Sequence, residues 1–434
     1  MTLLIKNGLV IDPANNRSEI LDILLIGKKI IKVAKGIGDD VGEIIDARDR
    51  IILPGLVDMH VHLREPGRED KETIQTGTLA ALKGGITSVL AMPNTFPPPD
   101  SVESVSLVKS IIKKTAQANV YICGAITKGR LGRELADIAV LKKEGVLAIS
   151  DDGSSIDSDA LMFSVFKNAK NEDILVICHS EDKVLSNSGV VNLGLTSTRM
   201  GLRGISSESE YKRVKRDIEL AEKIGARVHI AHVSCKESVA IIREAKKRGA
   251  KVTSETAPHY FALTEEDVLG YDTNKKMNPP LRGRDDVAAI KQGLSDGTID
   301  AIASDHAPHT ENEKDIEFER SEFGVIGLET ELSAAITELV GNRILDWAGI
   351  VRRMSLNPAK ILGIDRGTLS EGAVADIVIV DPKKEWRVIK EEFVSKSRNC
   401  AFLGKKLKGV VEYTICAGKV VYASASTDKE HYRA

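Results

Sequence analysis

Between about residue 54 and residue 310 the chain repeats one unit eight times: a short β-rich run, a polar or glycine-containing turn, then a longer segment with apolar residues at helical spacing. The runs are "GLVDMHVHL", "ITSVLAMP", "VYICGAI", "VLAISDD", "ILVICHS", "RVHIAHVS", "KVTSETAP" and "IDAIASDH". Strand and helix alternating in this way predict a (β/α)8 barrel of the TIM type, because parallel strands need long crossovers and helices supply them. Segments such as "ESEYKRVKRDIELAEKIG" and "CKESVAIIREAKKRG" end in glycine, which suits a left-handed C-terminal cap. The flanks read differently, as short strands broken by Gly, Asp and Asn turns, and the two could pair into one small β-sandwich. We therefore expect residues 1–53 as the N-terminal part of that sandwich, 54–366 as the barrel, and 367–434 as its C-terminal part with a polar tail after about Tyr422. The stretch "ILDWAGIVRRMSLNPAKILGI" looks helical and would close the barrel.

Charge and cysteine usage narrow the class of function. Lys plus Arg number 61 and Asp plus Glu 63, so no global field favours a polyanion and nucleic acid is not an expected partner. The five cysteines are odd in number and scattered, with no CxxC pair, and read as reduced thiols of a cytoplasmic protein. The N-terminal "MTLLIKNGLVIDPANN" is interrupted by Lys6, Asn7 and Asp12 and lacks the apolar core of a signal peptide. No apolar run is long enough to span a bilayer. A cytoplasmic enzyme is the default expectation, with a structural or adaptor protein as the competing class.

In a barrel of this kind reactive groups sit at the C-terminal ends of the strands, and the unusual polar residues fall there. The first run ends in His60, His62 and Arg64; the second leads to Asn94; the fourth ends in Asp151 and Asp152, the fifth in His179, the sixth in His232, and the eighth in Asp305 followed by His309. Residues i and i+2 of a strand point the same way, so Asp58, His60, His62 and Arg64 share a face. Each histidine alone could be an ordinary core or surface residue. Four of them with two aspartates at corresponding strand ends point to a metal site, since buried charges need partners or cations. Imidazole with carboxylate suits zinc, with manganese, cobalt or iron also compatible. Six donors exceed one tetrahedral ion and suffice for two ions sharing a carboxylate and a water. Two cations lower the pKa of such a water while one polarises a carbonyl, the chemistry of amide-bond hydrolysis, and Asp305 is the candidate proton carrier. Asp58 and Asp151 are expected to support the site. His229, three residues before His232, is expected on the opposite face against a helix, His306 pointing away, His431 in the tail, and His259 is unassigned.

These motifs carry a family likeness. "DMHVHLREPG", "MPNTFPPPD", "ISDDG", "HSED", "HVSCKES", "KMNPPLR", "SDHAPHT" and "FGVIGLET" occur in the order and spacing of dihydroorotases of the amidohydrolase superfamily, and the chain resembles their long-chain class with an aspartate bridge. The resemblance implies reversible ring closure of N-carbamoyl-L-aspartate to L-dihydroorotate in pyrimidine synthesis. It implies one or two zinc ions, with two expected: His60, His62 and Asp305 on one, His179 and His232 on the other, Asp152 bridging. Many relatives place a carboxylated lysine at the bridge, whereas here the fourth run offers no lysine and Lys142 and Lys143 lie upstream. Arg64, Asn94 and His309 would hold the substrate carboxylate, a match between a guanidinium fork and a carboxylate. Asn278 and the backbone of Phe323 and Gly324 would add contacts, and the charged loop 310–327 reads either as a lid or as a solvated loop. A homo-oligomer and an aspartate transcarbamoylase partner stay open. The rivals are an allantoinase- or hydantoinase-type cyclic amidase, and a non-catalytic scaffold for a transcarbamoylase.

Overall fold

A computed structural model describes residues 2–38, 42–424 and 432–433. Residues 425–431 of the polar tail, with His431, fall outside the described residues. The chain opens with five strands, β1 (Thr2–Asp12), β2 (Arg17–Ile26), β3 (Lys29–Ala34), β4 (Glu43–Asp46) and β5 (Ile51–Pro54). The barrel follows: β6 (Leu56–Val61), β7 (Ile86–Ala91), β8 (Asn119–Ala125), β9 (Ala148–Ser150) and β10 (Leu175–Cys178), then an excursion with two short paired strands, β11 (Val191–Asn192) and β12 (Gly204–Ile205). β13 (Val228–Ile230), β14 (Val252–Thr256) and β15 (Ala301–Ile302) complete it. All eight expected runs form strands of one parallel sheet in the order β6 to β10 and then β13 to β15. A parallel bridge from Val61 to His306 joins its ends into a closed ring. Of the two segments expected to end in glycine caps, one forms the helix Glu208–Ile224 with Gly225 left-handed at φ 73°, and the other the helix Lys236–Lys247, with Gly249 at φ 83°.

β16 (Ile377–Arg387), β17 (Lys406–Cys416) and β18 (Lys419–Ala423) bring the C-terminal flank back to β5, and a short β19 (Tyr432–Arg433) pairs with β4. The two flanks thus form one nine-stranded, largely antiparallel sheet that wraps its own core of Leu3, Ile5, Ile23, Leu25, Ile377, Ile379 and Ile415. This is the sandwich expected from both termini. The five cysteines are unpaired, and among the described residues no helix is long and apolar enough to cross a membrane.

The barrel interior changes character along its axis. Val57, Met59, Leu90, Leu175, Ile177 and Ala301 pack with Ala359 and Leu362 into a buried apolar plug. The helix Asn357–Leu362 sits under the N-terminal strand ends, where Asn357 Nδ2 donates to the Asp300 carbonyl at 2.9 Å and Ser355 Oγ to the Gly55 carbonyl at 2.7 Å. Truncating one such buried leucine to alanine costs about 2–5 kcal/mol. One end of the barrel is therefore filled and apolar, and only the other is free to carry polar side chains.

Candidate active site

At that end the six expected donors come together. Asp152 lies just past β9 and is buried, with its carboxylate facing four imidazoles: His60 Nε2 at 3.3 Å, His62 Nε2 at 3.5 Å, His179 Nδ1 at 3.5 Å and His232 Nε2 at 3.7 Å. Asp305 stands 3.2 Å from His62 Nε2 and 3.6 Å from His60 Nε2. Two donor triads result, His60–His62–Asp305 and His60–Asp152–His232, each with its donor atoms within 4.8 Å of one another, and His179 Nδ1 lies 2.7 Å from His232 Nε2. The donor set fits a metal ion by chemistry and by burial: His60 Nε2 and Asp152 Oδ1 are buried and find no hydrogen-bond partner among the described residues. Among the described residues no lysine joins the cluster. Lys142, on the helix Ile138–Lys143, gives its amine to the Asp173 carbonyl at 3.3 Å.

The far ring nitrogens settle which nitrogen serves the centre. His60 Nδ1 lies 2.6 Å from Glu255 Oε1 and His62 Nδ1 lies 2.8 Å from Asn94 Oδ1. An oxygen acceptor at Nδ1 keeps a hydrogen there, so Nε2, which faces the aspartates, is the nitrogen that would give up its proton to ligate a metal ion. Burial alone would raise the Glu255 carboxyl, but the His60 charge and the hydrogen bonds from His229 and His60 bring it down to about 2, so it is an anion. Asp305 is likewise held well below the usual carboxylate range: burial opposes this, and the His62 hydrogen bond with the His60 charge overcomes it.

Strand alternation fails at the rim, with visible consequences. His232 has φ 34°, Asp305 φ 48° and Arg64 φ 60°, left-handed conformations that cost about 1–3 kcal/mol each and that cluster at functional sites. Because the chain leaves β13 at Ile230 and turns at His232, counting by twos from His232 places His229 on the wrong side. His229 does not pack on a helix as expected: its Nδ1 lies 2.8 Å from Thr253 Oγ1 and its Nε2 3.3 Å from Glu255 Oε2. Val228 and Ile230, its neighbours, pack outward with the helices. Asp58 accepts from the His60 amide at 3.0 Å and from the Ser304 amide at 3.2 Å, and Asp151 from the Ile126 amide at 2.9 Å, so both brace strand ends. His306 turns away to Glu72, 3.3 Å distant. His259 is buried outside the donor cluster, its imidazole pushed down to about 4 by burial.

The donors form one wall of a cavity of about 450 Å3, and Arg64, Asn94, Asn278, His309, Phe323 and Gly324 line the rest. Asn94 spends its carbonyl on His62, which leaves its amide NH2 as a donor. Asn278 Nδ2 donates to Glu181 at 3.2 Å. Arg64 is anchored by Nε to the Pro308 carbonyl at 3.1 Å. Gly324 has φ 122°, and a Cβ there would lie 2.7 Å from the Ala307 Cβ and 3.2 Å from His309 Nε2, so only glycine fits.

Behind this wall the loop 310–327 is pinned rather than loose. Lys276 Nζ donates to the carbonyls of Phe318, Glu319 and Ser321 at 2.9, 3.0 and 2.5 Å, and Lys314 Nζ to those of Glu322 and Gly324 at 2.7 and 3.0 Å. Burial pushes the Lys276 amine down to about 8 and the Lys314 amine to about 7.

Four site features escape sequence reasoning. Glu255 lies near the end of the seventh run, "KVTSETAP", and that strand-end position is the signal in the sequence that points to it. Lys71 and Arg68 line the cavity from the loop after β6. Arg130, left-handed at φ 56°, lines it too and donates to the Asp152 carbonyl. Nothing local in the sequence marks these last three.

The chain resembles known proteins in sequence and in fold. A model of dihydro-orotase-like proteins matches residues 49–238 and an amidohydrolase family model matches residues 336–422. The chain is 54% identical to a protein of Elusimicrobium minutum named dihydroorotase, over 97% of each, and 51% identical to one of Geotalea daltonii so named, over 97% of this chain and 99% of that one. Among solved structures, the L-hydantoinase (dihydropyrimidinase) of Arthrobacter aurescens superposes with a TM-score of 0.88 at 24% identity, over 97% of this chain and 96% of that one, a likeness of fold. With such identity sustained from end to end, the chain belongs to the dihydroorotase family of metal-dependent cyclic amide hydrolases.

Proposed function

We propose that this chain is a cytoplasmic, zinc-dependent dihydroorotase that interconverts N-carbamoyl-L-aspartate and L-dihydroorotate in pyrimidine synthesis. One observation carries the reading: a single cavity joins five of the candidate metal donors, His62, Asp152, His179, His232 and Asp305, to a wall carrying a guanidinium, an imidazole and two amides. L-Dihydroorotate has both features such a cavity would serve, a cyclic amide to be opened and a carboxylate to be held.

His60, His62 and Asp305 would hold one ion, His179 and His232 a second, and Asp152, which faces all four imidazoles, would be shared. When bound, the ions supply an acidified water and polarise the amide carbonyl. Asp305 is a carboxylate beside His62 and lines the cavity, so it is placed to take the proton of the attacking water and pass it to the departing ring nitrogen. The oxygen of water bonds to the amide carbon, the carbon–nitrogen bond breaks, and the proton moves through Asp305; ring closure is the reverse, with loss of water. Arg64, the Asn94 amide and His309 hold the substrate carboxylate away from this centre, and Asn278 with the Phe323–Gly324 backbone fixes the ring.

Arg64 distinguishes this reading from a hydantoinase-type activity on neutral rings. The test is a direct assay with L-dihydroorotate beside dihydrouracil and allantoin, before and after removal of metal by a chelator. Dihydroorotate alone is expected to be consumed, and only with metal. Equal turnover of dihydrouracil would replace the assignment by a general cyclic amidase, and no turnover of any ring by the metal-loaded chain would favour a scaffold.

A further inference from the structure

His309 is buried between two neighbours that leave its imidazole no choice of tautomer. On one side Lys71 Nζ lies 3.1 Å from Nδ1; on the other the Phe323 carbonyl lies 2.8 Å from Nε2. Lys71 is itself buried, 5% exposed, which pushes its amine down, and its pairing with Glu313 at 2.9 Å opposes this and favours the ammonium. An ammonium only donates and a carbonyl only accepts. Together the two contacts leave Nδ1 its lone pair and Nε2 the hydrogen, and it is Lys71 that keeps the proton off Nδ1. The Nε2 edge is also the edge beside the Arg64 guanidinium, 3.4 Å away.

We propose that Lys71 is a positioning residue for substrate selection: it favours the Nε2–H tautomer of His309 and sets a positive charge behind it, so that a substrate carboxylate at the Arg64–His309 edge shares or takes over that hydrogen from the Phe323 carbonyl, and neutral rings are disfavoured. This rests on the reading above that His309 meets the substrate carboxylate. A hydrogen-bond donor polarised by a cation on its far side is stronger, and a carboxylate is the acceptor that gains from it. Burial together with the nearby charges of Arg64 and Lys71 holds the imidazole well below its ordinary range, in keeping with a neutral ring. Glu313 Oε2 stands 3.5 Å from Nδ1. With the ammonium removed, that carboxylate becomes the nearest partner of Nδ1 and would draw the proton there.

The test uses the zinc-loaded enzyme with 15N-labelled histidine, and His309 is assigned by its loss in His309→Asn. In the unaltered protein the His309 Nδ1 signal is expected at the lone-pair position and Nε2 at the protonated position. Lys71→Met is expected to move Nδ1 toward the protonated position and to raise KM for dihydroorotate about 10- to 100-fold, the range of one charge-assisted hydrogen bond, with a smaller fall in kcat. Selectivity for dihydroorotate over dihydrouracil should fall by the same factor. Lys71→Arg, again a pure donor, should keep the lone-pair signal and restore selectivity. A protonated Nδ1 in the unaltered enzyme, or a Lys71→Met spectrum unchanged at His309, overturns the proposal. The spectra do not depend on turnover, so an enzyme inert toward dihydroorotate but with the expected tautomer would count against the functional reading and not against the Lys71–His309 pairing.

Discussion

The two walls of the cavity are built by different means. The donor wall rises from the barrel: His60, Asp152, His179, His232 and Asp305 lie within or just past β6, β9, β10, β13 and β15, and the far ring nitrogen of His60 is held by Glu255 on β14. The opposite wall, at Phe323 and Gly324, is loop backbone; His309, Asn399 and, from within the same loop, Lys314 meet its carbonyls, and Lys276 holds the Ser321 carbonyl beside it. Rigid strands can place metal donors to within the tolerance a metal demands. A loop has no such ladder of strands behind it, and buried donor side chains supply the scaffold here. The comparison teaches that chemistry and selectivity in this molecule should respond separately to substitution.

The largest expected effect is on the donor wall. Asp305→Asn should lower kcat by about 10²–10⁴-fold, the worth of a positioned proton carrier, with an unchanged circular-dichroism spectrum; a near-normal rate would remove Asp305 from the chemistry. Next, Arg64→Met should raise KM for dihydroorotate by about 30- to 1,000-fold, or about 2–4 kcal/mol for a charge left without its partner, while metal content stays constant. If saturation is unaltered, the second wall does not bind the carboxylate. Glu255→Gln sharpens the contrast from the other direction, since it should weaken metal binding about 10- to 100-fold without touching the loop wall. Titration of the metal-free variant with zinc would show this, and unchanged affinity would make Glu255 a mere packing residue. The smallest effect belongs to Lys314→Met. Releasing the loop should cost about 0.5–1.5 kcal/mol of ordering on binding, about 3- to 10-fold in KM, with faster amide exchange across residues 318–324. Unchanged exchange would mean that the lysines do not pin it.

The same division explains what could be read beforehand. The barrel was legible because eight β-rich runs keep their period, and the donors because polar residues at strand ends are conspicuous against apolar neighbours. That the fourth run offers Asp152 and no lysine was legible directly, whereas a bridging role for it is what the family resemblance implies. Legibility stopped where the period did. His229 was placed on the wrong side because His232 turns left-handed and breaks the count. Lys71, Lys276 and Lys314 could not be found, because a lysine in a polar loop reads as a solvated charge; only folding shows that Lys71 meets a residue 238 positions away and that Lys276 reaches carbonyls more than 40 positions on. Glu255 lies between these cases, on a strand but without a local partner.

The central claim is that imidazoles and carboxylates from separate strands work together on a metal. It is tested most directly by adding zinc stepwise to the metal-free chain while measuring bound zinc and the opening of L-dihydroorotate in the same samples. Turnover should be absent at the start and rise in step with bound zinc, to a plateau when one or two ions per chain are held. Full turnover by the metal-free chain, or zinc bound in that ratio with no turnover, would contradict the account.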